Sequence, residues 1–218
     1  MKIHNHYRAL RIRFILIFFG AFVLIFGSLN ARFIYANMQY FIAPGTIRSD
    51  DSLGQAVRLL PLSKDLSQKP LPNKAQLVID SIGVNAPIVF GASRDEETIY
   101  KNLENGVVHY SSTSKPGETG TSVVLGHSSA YPWYKGDYGS VFALLGKLKE
   151  GDKFYVQYED QRLFVYSVKR SIVFNPFGDD AVLEELESNS RPSIILISCW
   201  PVGTDYRRIA IQAEPVEN

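Results

Sequence analysis

A single cysteine, Cys199, is the only thiol in this 218-residue chain. That scarcity excludes an internal disulfide framework and any zinc or iron–sulfur site built from several cysteines. A surplus of one charge is missing too. The 23 Lys and Arg residues stand against 22 Asp and Glu, for a net charge of +1. No long-range field therefore draws nucleic acid or an acidic partner. Internal repeats and low-complexity tracts are absent. Aromatics, at 12%, and hydrophobic residues, at 45%, are plentiful enough to fill one ordinary core.

The most apolar stretch runs from Phe14 to Leu29, preceded by Lys2, Arg8, Arg11 and Arg13. A spanning helix needs about 20 mostly apolar residues. Phe33, Ile34 and Tyr35 extend this run past Asn30 and Arg32, while Arg13 can snorkel at the other end. The basic flank predicts an N-terminus that stays inside and a remainder that is exported. A cleaved signal peptide is the rival reading, but the sites after Asn30 and Ala31 lack a small-x-small pattern. The expected organisation is a basic N-terminus over 1–13, a signal anchor over 14–35, a stalk over 36–73 and a globular domain over 74–218. Pro44-Gly45, Pro61, Pro70 and Pro72 break up the stalk, with one short helical candidate at Leu53–Leu60. Leu60-Pro61-Leu62-Ser63 and Leu71-Pro72-Asn73-Lys74 read as ordinary proline-bearing spacer.

From Ala75 onward, short strands alternate with turn signals. Strands are predicted at Gln76–Ile79, Asn85–Val89, Val107–Tyr110 and Thr121–Leu125. Lys153–Tyr158 and Arg162–Val168 form a hairpin across Glu159-Asp160-Gln161, and Ser193–Cys199 and Arg208–Ile211 close the chain. Pro87 places its strand at a sheet edge. Asp95–Leu103 is the clearest helix, acidic at its start, and Asp180–Leu186 is a short one. Seven or eight strands with brief helices predict a mainly β, closed or sandwich-like architecture.

Cys199 ends an apolar strand, and an unpaired thiol in an exported chain needs a chemical reason to be there. A thiolate is a strong nucleophile when something favours its charge or takes its proton. His127, after Val123-Val124-Leu125-Gly126, is the candidate acid or base. Arg208 is the candidate for holding a developing oxyanion. Two rivals exist: His109 also ends a short strand, and Arg207 adjoins Arg208. Neighbours on a strand face opposite ways, so only one arginine can face the thiol.

These residues resemble the sortases, membrane-anchored cysteine transpeptidases of bacterial surfaces. The family's Thr-Leu-x-Thr-Cys is matched by Ile195-Leu196-Ile197-Ser198-Cys199, with isoleucine and serine in place of the two threonines. Leu125-Gly126-His127 and Arg208-Ile209-Ala210-Ile211-Gln212-Ala213 match the family's histidine and arginine segments. Ile82–Ile88, Gly106–Tyr110, Lys115–Gly120 and Leu148–Asp152 agree as well.

The resemblance implies a closed eight-stranded β-barrel with short helices behind one N-terminal transmembrane helix. It also implies a single-pass protein of the bacterial cytoplasmic membrane with an extracytoplasmic catalytic domain. Cys199 would attack a Leu-Pro-x-Thr-Gly-like sorting signal of an exported protein, giving a thioester. His127 would supply the leaving group's proton and Arg208 would stabilise the oxyanion. An amine of peptidoglycan precursor or of a pilin would then accept the acyl group. Ser198, Trp200, Asn175 and Pro176 are the expected substrate contacts, although a packing role fits Trp200 equally. No metal or organic cofactor is expected, and calcium activation, known in some members, stays open. Alternatives are a thiol peptidase that releases its substrate to water and a non-catalytic, membrane-tethered barrel that binds such peptides. A metal site is disfavoured, because His109 and His127 lack tight ligand spacing and no second thiol exists.

Overall fold

The strand carrying Cys199 is apolar on both of its faces, and that double burial determines where the strand sits. The computed structural model describes residues 2–42, 70–91, 95–131, 134–178, 185 and 191–216. Eight strands form a closed barrel: β1 (Lys74–Ile79), β2 (Val84–Val89), β3 (Val107–His109), β4 (Thr121–Leu125), β5 (Lys153–Tyr158), β6 (Leu163–Phe174), β7 (Ser193–Trp200) and β8 (Arg207–Pro215). Around the barrel the order is β1-β2-β3-β4-β7-β8-β6-β5, with β5 pairing back onto β1. The closed eight-stranded barrel agrees with the sequence expectation.

In β7, Ile194 and Leu196 point into the barrel with Leu77, Phe142, Phe154, Tyr166, Ile209 and Ile211. Ile195 and Ile197 point outward, into a second cluster with Val123, Leu125, Ile172, Phe174 and Ala210. A strand buried on both faces reads as an unbroken hydrophobic run, typical of a strand with a parallel neighbour. Here that neighbour is β4, in the register Val123↔Ile195 and Leu125↔Ile197.

The helix α1 (Lys2–Leu29) contains a candidate membrane span at Arg11–Leu29, 19 residues with mean hydropathy 2.4. At 1.5 Å per residue this measures about 28 Å, close to the thickness of a bilayer's hydrocarbon core. A second helix, α2 (Ala31–Ile42), follows directly, so the first part of the predicted stalk is helical. The stalk's far end also departs from expectation. Leu71 is buried in the barrel core. The Lys115 ammonium donates to the carbonyl of Leu71 at 2.9 Å and to Asn73 Oδ1 at 2.8 Å, and Arg162 donates to the Pro70 carbonyl at 2.8 Å. Residues 70–73 thus belong to the barrel. The helical candidate Leu53–Leu60 and the Leu60–Ser63 segment lie outside the described residues. So does the predicted Asp180–Leu186 helix, apart from Glu185, which pairs with Arg170 at 2.7 Å.

The helix α3 (Glu96–Leu103) is the short acidic helix foreseen in the sequence. Asp95 caps it by accepting from the Thr98 N–H at 2.8 Å, and Glu96 and Glu97 occupy the first turn. Ile99 and Leu103, one helical turn apart, press onto Val89 and Val108, fixing α3 on the outer surface over β2 and β3.

Two expectations need correction. The strand carrying Pro87 is not an edge, because β2 pairs with both β1 and β3. The missing N–H is tolerated because the β3 ladder starts only at Ile88↔Val107, one residue later. Strand β6 also runs to Phe174 rather than stopping at Val168. A register shift between Val168 and Arg170 breaks the alternation that a period-two reading relies on. The join between β2 and β3 depends on Gly106, where a Cβ would collide with the Pro87 carbonyl oxygen. Backbone cannot swing aside as a side chain can. Gly106→Ala is expected to cost about 1–3 kcal/mol of stability, read as a lowered urea midpoint with an unchanged slope.

Candidate active site

Four strand ends meet on the outer surface at one pole of the barrel. Cys199 lies directly opposite Arg208 in the antiparallel β7–β8 pair, and Phe174 of β6 lies opposite Arg208 in turn. On the other side, β4 and β7 run parallel with Leu125↔Ile197, and the Gly126 N–H donates to the Ile197 carbonyl at 3.1 Å. His127 leaves β4 two residues beyond that pair, on the flank where β7 reaches Cys199. Successive strands lie about 4.8 Å apart. The thiol therefore stands in a row, with the imidazole on one side and the guanidinium on the other. Alternation keeps Cys199 and Arg208 on the outward face, continuing the apolar stripe of Val123, Leu125, Ile195, Ile197 and Ala210. Tyr100, whose ring lies 6.0 Å from that of His127, feels the charges of both Cys199 and Arg208.

The same register separates the two arginines. Arg207 is opposite Trp200 and so projects from the other face, while Arg208 shares the face of Cys199. The Arg208 guanidinium is steadied by its own loop, donating to the Asp205 carbonyl at 2.8 Å and to the Arg207 carbonyl at 3.1 Å. The two histidines also face different ways. His109 is 4% exposed, bonds through Nε2 to the Ser114 carbonyl at 2.9 Å and packs against Phe90. Level with the inward-facing Val124, its ring turns to the barrel interior, away from the face that carries the thiol.

Two expected substrate contacts point away from the site. Ser198 faces inward, 3% exposed, and its hydroxyl donates to the Gly126 carbonyl at 2.8 Å. It ties the end of β7 to the segment leading into His127. The Trp200 ring likewise packs against the main core, where a Cβ on Gly146 would come within 2.7 Å of it. Both residues adjoin Cys199 in sequence, and that adjacency puts them on the opposite face. Asn175 and Pro176 do lie at the rim, in the turn that follows Phe174. Asn175 Oδ1 accepts from the Phe177 N–H at 3.0 Å, and Phe177 beside them is 87% exposed.

Two tyrosines escaped the sequence reading. The Tyr100 ring, carried by α3, lies 6.0 Å from the His127 ring at a tilt of 32°, and the Tyr134 ring meets His127 edge-on at 5.3 Å and 85°. The periodicity of α3 marks Ile99 and Leu103 as its buried face, but no local signal places its neighbour Tyr100 beside β4 and β7.

Burial sets the electrostatics. It pushes the Cys199 thiol above its usual 9.0, opposed by the Arg208 charge and reinforced by the Asp205 carboxylate. Burial also lowers His127 below 6.5. Tyr100 is raised by burial first and by negative charge at Cys199, Glu96 and Asp205, against the opposing Arg208. Near neutral pH the thiol and the imidazole therefore both rest uncharged. A base beside a thiol, with a fixed cation on the far side, can make thiolate on demand and receive a negative oxygen afterwards.

The sortase domain model matches residues 77–216. The chain belongs to the sortase family. It is 28% identical to sortase D of Bacillus subtilis (strain 168), over 69% of this chain and 68% of that protein. Among solved structures, a lid mutant of sortase A from Corynebacterium diphtheriae matches with a TM-score of 0.54 and 25% identity, over 86% of this chain and 94% of that one. Sortase C-1 from Actinomyces oris gives a TM-score of 0.54 and 25% identity, over 85% and 99%. Sortases are cysteine transpeptidases that anchor surface proteins or pilins, and this sortase is an enzyme of that class.

The charges around Cys199 can be read without any substrate. Iodoacetamide alkylation should follow a titration with its midpoint above 9.0. Arg208→Gln removes a cation that favours thiolate, so the midpoint should move higher; Asp205→Asn removes a carboxylate that opposes it, so the midpoint should move lower. Separately, Ser198→Ala leaves the buried Gly126 carbonyl without its hydroxyl partner. It should destabilise the barrel by about 1–3 kcal/mol, measured by denaturant unfolding.

Proposed function

We propose that Cys199 is the nucleophile, His127 the proton carrier and Arg208 the oxyanion-holding cation of this sortase. The substrate would be a Leu-Pro-x-Thr-Gly-like sorting signal on an exported protein. The observation that carries the reading is the row of strand ends in which His127 and Arg208 flank Cys199. Each step follows from that order. His127, neutral at rest, takes the thiol proton as Sγ attacks the scissile carbonyl. The carbonyl oxygen gains negative charge beside the Arg208 guanidinium, whose attachment to its own loop keeps it in place before the charge appears. Collapse breaks the C–N bond, the imidazolium gives its proton to the leaving amine, and a thioester remains on Cys199.

In the second half the acceptor, an amine of peptidoglycan precursor or of a pilin, loses a proton to His127 as it attacks the thioester. The new amide forms and the Cys199 thiol is regenerated. This chemistry calls for no metal or organic cofactor. The apolar stripe of Val123, Leu125, Ile197 and Ala210 offers a floor for the aliphatic part of the signal, and Asn175 and Pro176 stand at its Arg208 end. Helix α1 would hold the enzyme in the cytoplasmic membrane, with its basic N-terminus inside and the barrel outside.

The test incubates the full chain, solubilised in detergent, with a Leu-Pro-x-Thr-Gly peptide and a large excess of a small amine, followed by mass spectrometry. A peptide–amine product is expected, together with a thioester adduct on Cys199, and both should vanish in Cys199→Ala. His127→Ala and Arg208→Ala should each lower kcat/KM by at least about 10²-fold. Persistent turnover in Cys199→Ala would overturn the assignment. Cleavage to free acid alone, with amine present, would make the enzyme a thiol peptidase instead.

A further inference from the structure

In a thiol– or serine–histidine pair, the imidazole is ordinarily oriented by a third hydrogen-bonding group. Among the described residues no side chain bonds to the ring nitrogens of His127. The ring is held by packing instead. Tyr134 meets it edge-on at 5.3 Å and 85°, and Tyr100 lies over it at 6.0 Å and 32°. Both geometries fall within the range where aromatic rings attract. His127 is otherwise attached through its backbone, its carbonyl accepting from the Phe142 N–H at 2.9 Å.

The two tyrosines share one support. Tyr100 belongs to α3, and the Tyr134 hydroxyl donates to the Leu103 carbonyl at the end of α3, at 2.8 Å. The loop bearing Tyr134 is packed so tightly there that a Cβ on Gly136 would come within 2.6 Å of the Glu104 carbonyl oxygen and 2.8 Å of the Tyr134 ring. A Cβ on Gly139 would likewise meet the Tyr134 ring at 2.8 Å. Helix α3 is in turn fixed to the barrel by Ile99 and Leu103. The chain of contacts runs from the barrel wall through α3 to both rings, and from both rings to the imidazole.

We propose that Tyr100 and Tyr134 are positioning residues, an aromatic clamp mounted on α3 that orients His127 toward Cys199. The clamp does the work of a hydrogen-bonding partner that none of the described residues supplies. It rests on the reading of His127 as the proton carrier. A ring held by two aromatic neighbours keeps its direction, and both of its nitrogens stay free to exchange protons with thiol, leaving group and acceptor. The clamp therefore requires the rings and not the hydroxyl of Tyr100.

The experiment compares Tyr100→Ala, Tyr100→Phe, Tyr134→Ala and Tyr134→Phe in the full chain. The readouts are transpeptidation kinetics and the His127 imidazole titration followed by NMR. Each alanine variant should lower kcat by about 10–10²-fold, the scale of a mis-set reacting group, with KM nearly unchanged. In each, the imidazole titration should move up toward 6.5, because the burial that depresses it is relieved. Phenylalanine at position 100 should restore most of kcat and keep the titration low, whereas Tyr134→Phe, which gives up the bond to the Leu103 carbonyl, should fall between Tyr134→Ala and the unaltered chain. Tyr100 is 51% exposed, so its variants keep the fold even if Tyr134→Ala does not. Unchanged kcat and an unmoved titration in Tyr100→Ala would overturn the clamp, as would a Tyr100→Phe variant as poor as the alanine one. If His127→Ala itself stays active, the catalytic reading fails, whereas the titration still reports whether the rings hold the imidazole.

Discussion

The register between β4 and β7 is the constraint on which the site depends. Because Leu125 pairs with Ile197 in a parallel ladder, His127 leaves β4 two residues beyond that pair, on the flank where β7 reaches Cys199. Because β8 pairs antiparallel with β7, Arg208 arrives level from the other side. A slip of one residue in the β7–β8 ladder would turn Cys199 or Arg208 toward the core. The barrel prevents that slip by burying both faces of β7, with Ile194 and Leu196 inside and Ile195 outside. Ser198 and Gly126 reinforce the register at its critical end through a hydrogen bond. Ser198, beside Cys199, thus fixes the geometry of the strand end from the inward face.

Much of this was legible in the sequence, for a physical reason. Continuous apolar runs such as Ser193–Ile197 advertise a strand buried on both sides, and a lone thiol at the end of one stands out. What sequence hides is facing and closure. Ser198 and Trp200 look like site residues because they flank Cys199, yet the two-residue period of a strand sends both of them inward. The same period, applied to Arg207 and Arg208, chooses between them only once the partner strand's register is known. Pro87 looks like an edge because its missing donor is visible, whereas the later start of the β3 ladder is not. Tyr100 and Tyr134 were beyond reach: 33 residues and several elements separate them, and only the docking of α3 brings them to one imidazole.

The resting electrostatics suit a site that must remain quiet between substrates. Burial disfavours charge on both the thiol and the imidazole, which lowers the resting share of thiolate. Arg208 counters part of that penalty, and the balance between its charge and that of Asp205 sets how easily Cys199 ionises. Substrate that displaces water and offers a polarisable carbonyl would tip the balance at the moment of attack.

The fastening of residues 70–73 to the barrel has a mechanical side. Following the ladders around, β1 runs in the same direction as β4, so Lys74 lies at the pole where β4 and β7 begin. Cys199 and His127 lie at the pole where those strands finish. Tension arriving through the chain at Pro70 therefore enters the molecule at its base, where Arg162 and Lys115 grip the backbone and Leu71 is plugged into the core. The load passes into β1 and its two neighbours, β2 and β5, and β4, β7 and β8, which lead to His127, Cys199 and Arg208, lie outside its path.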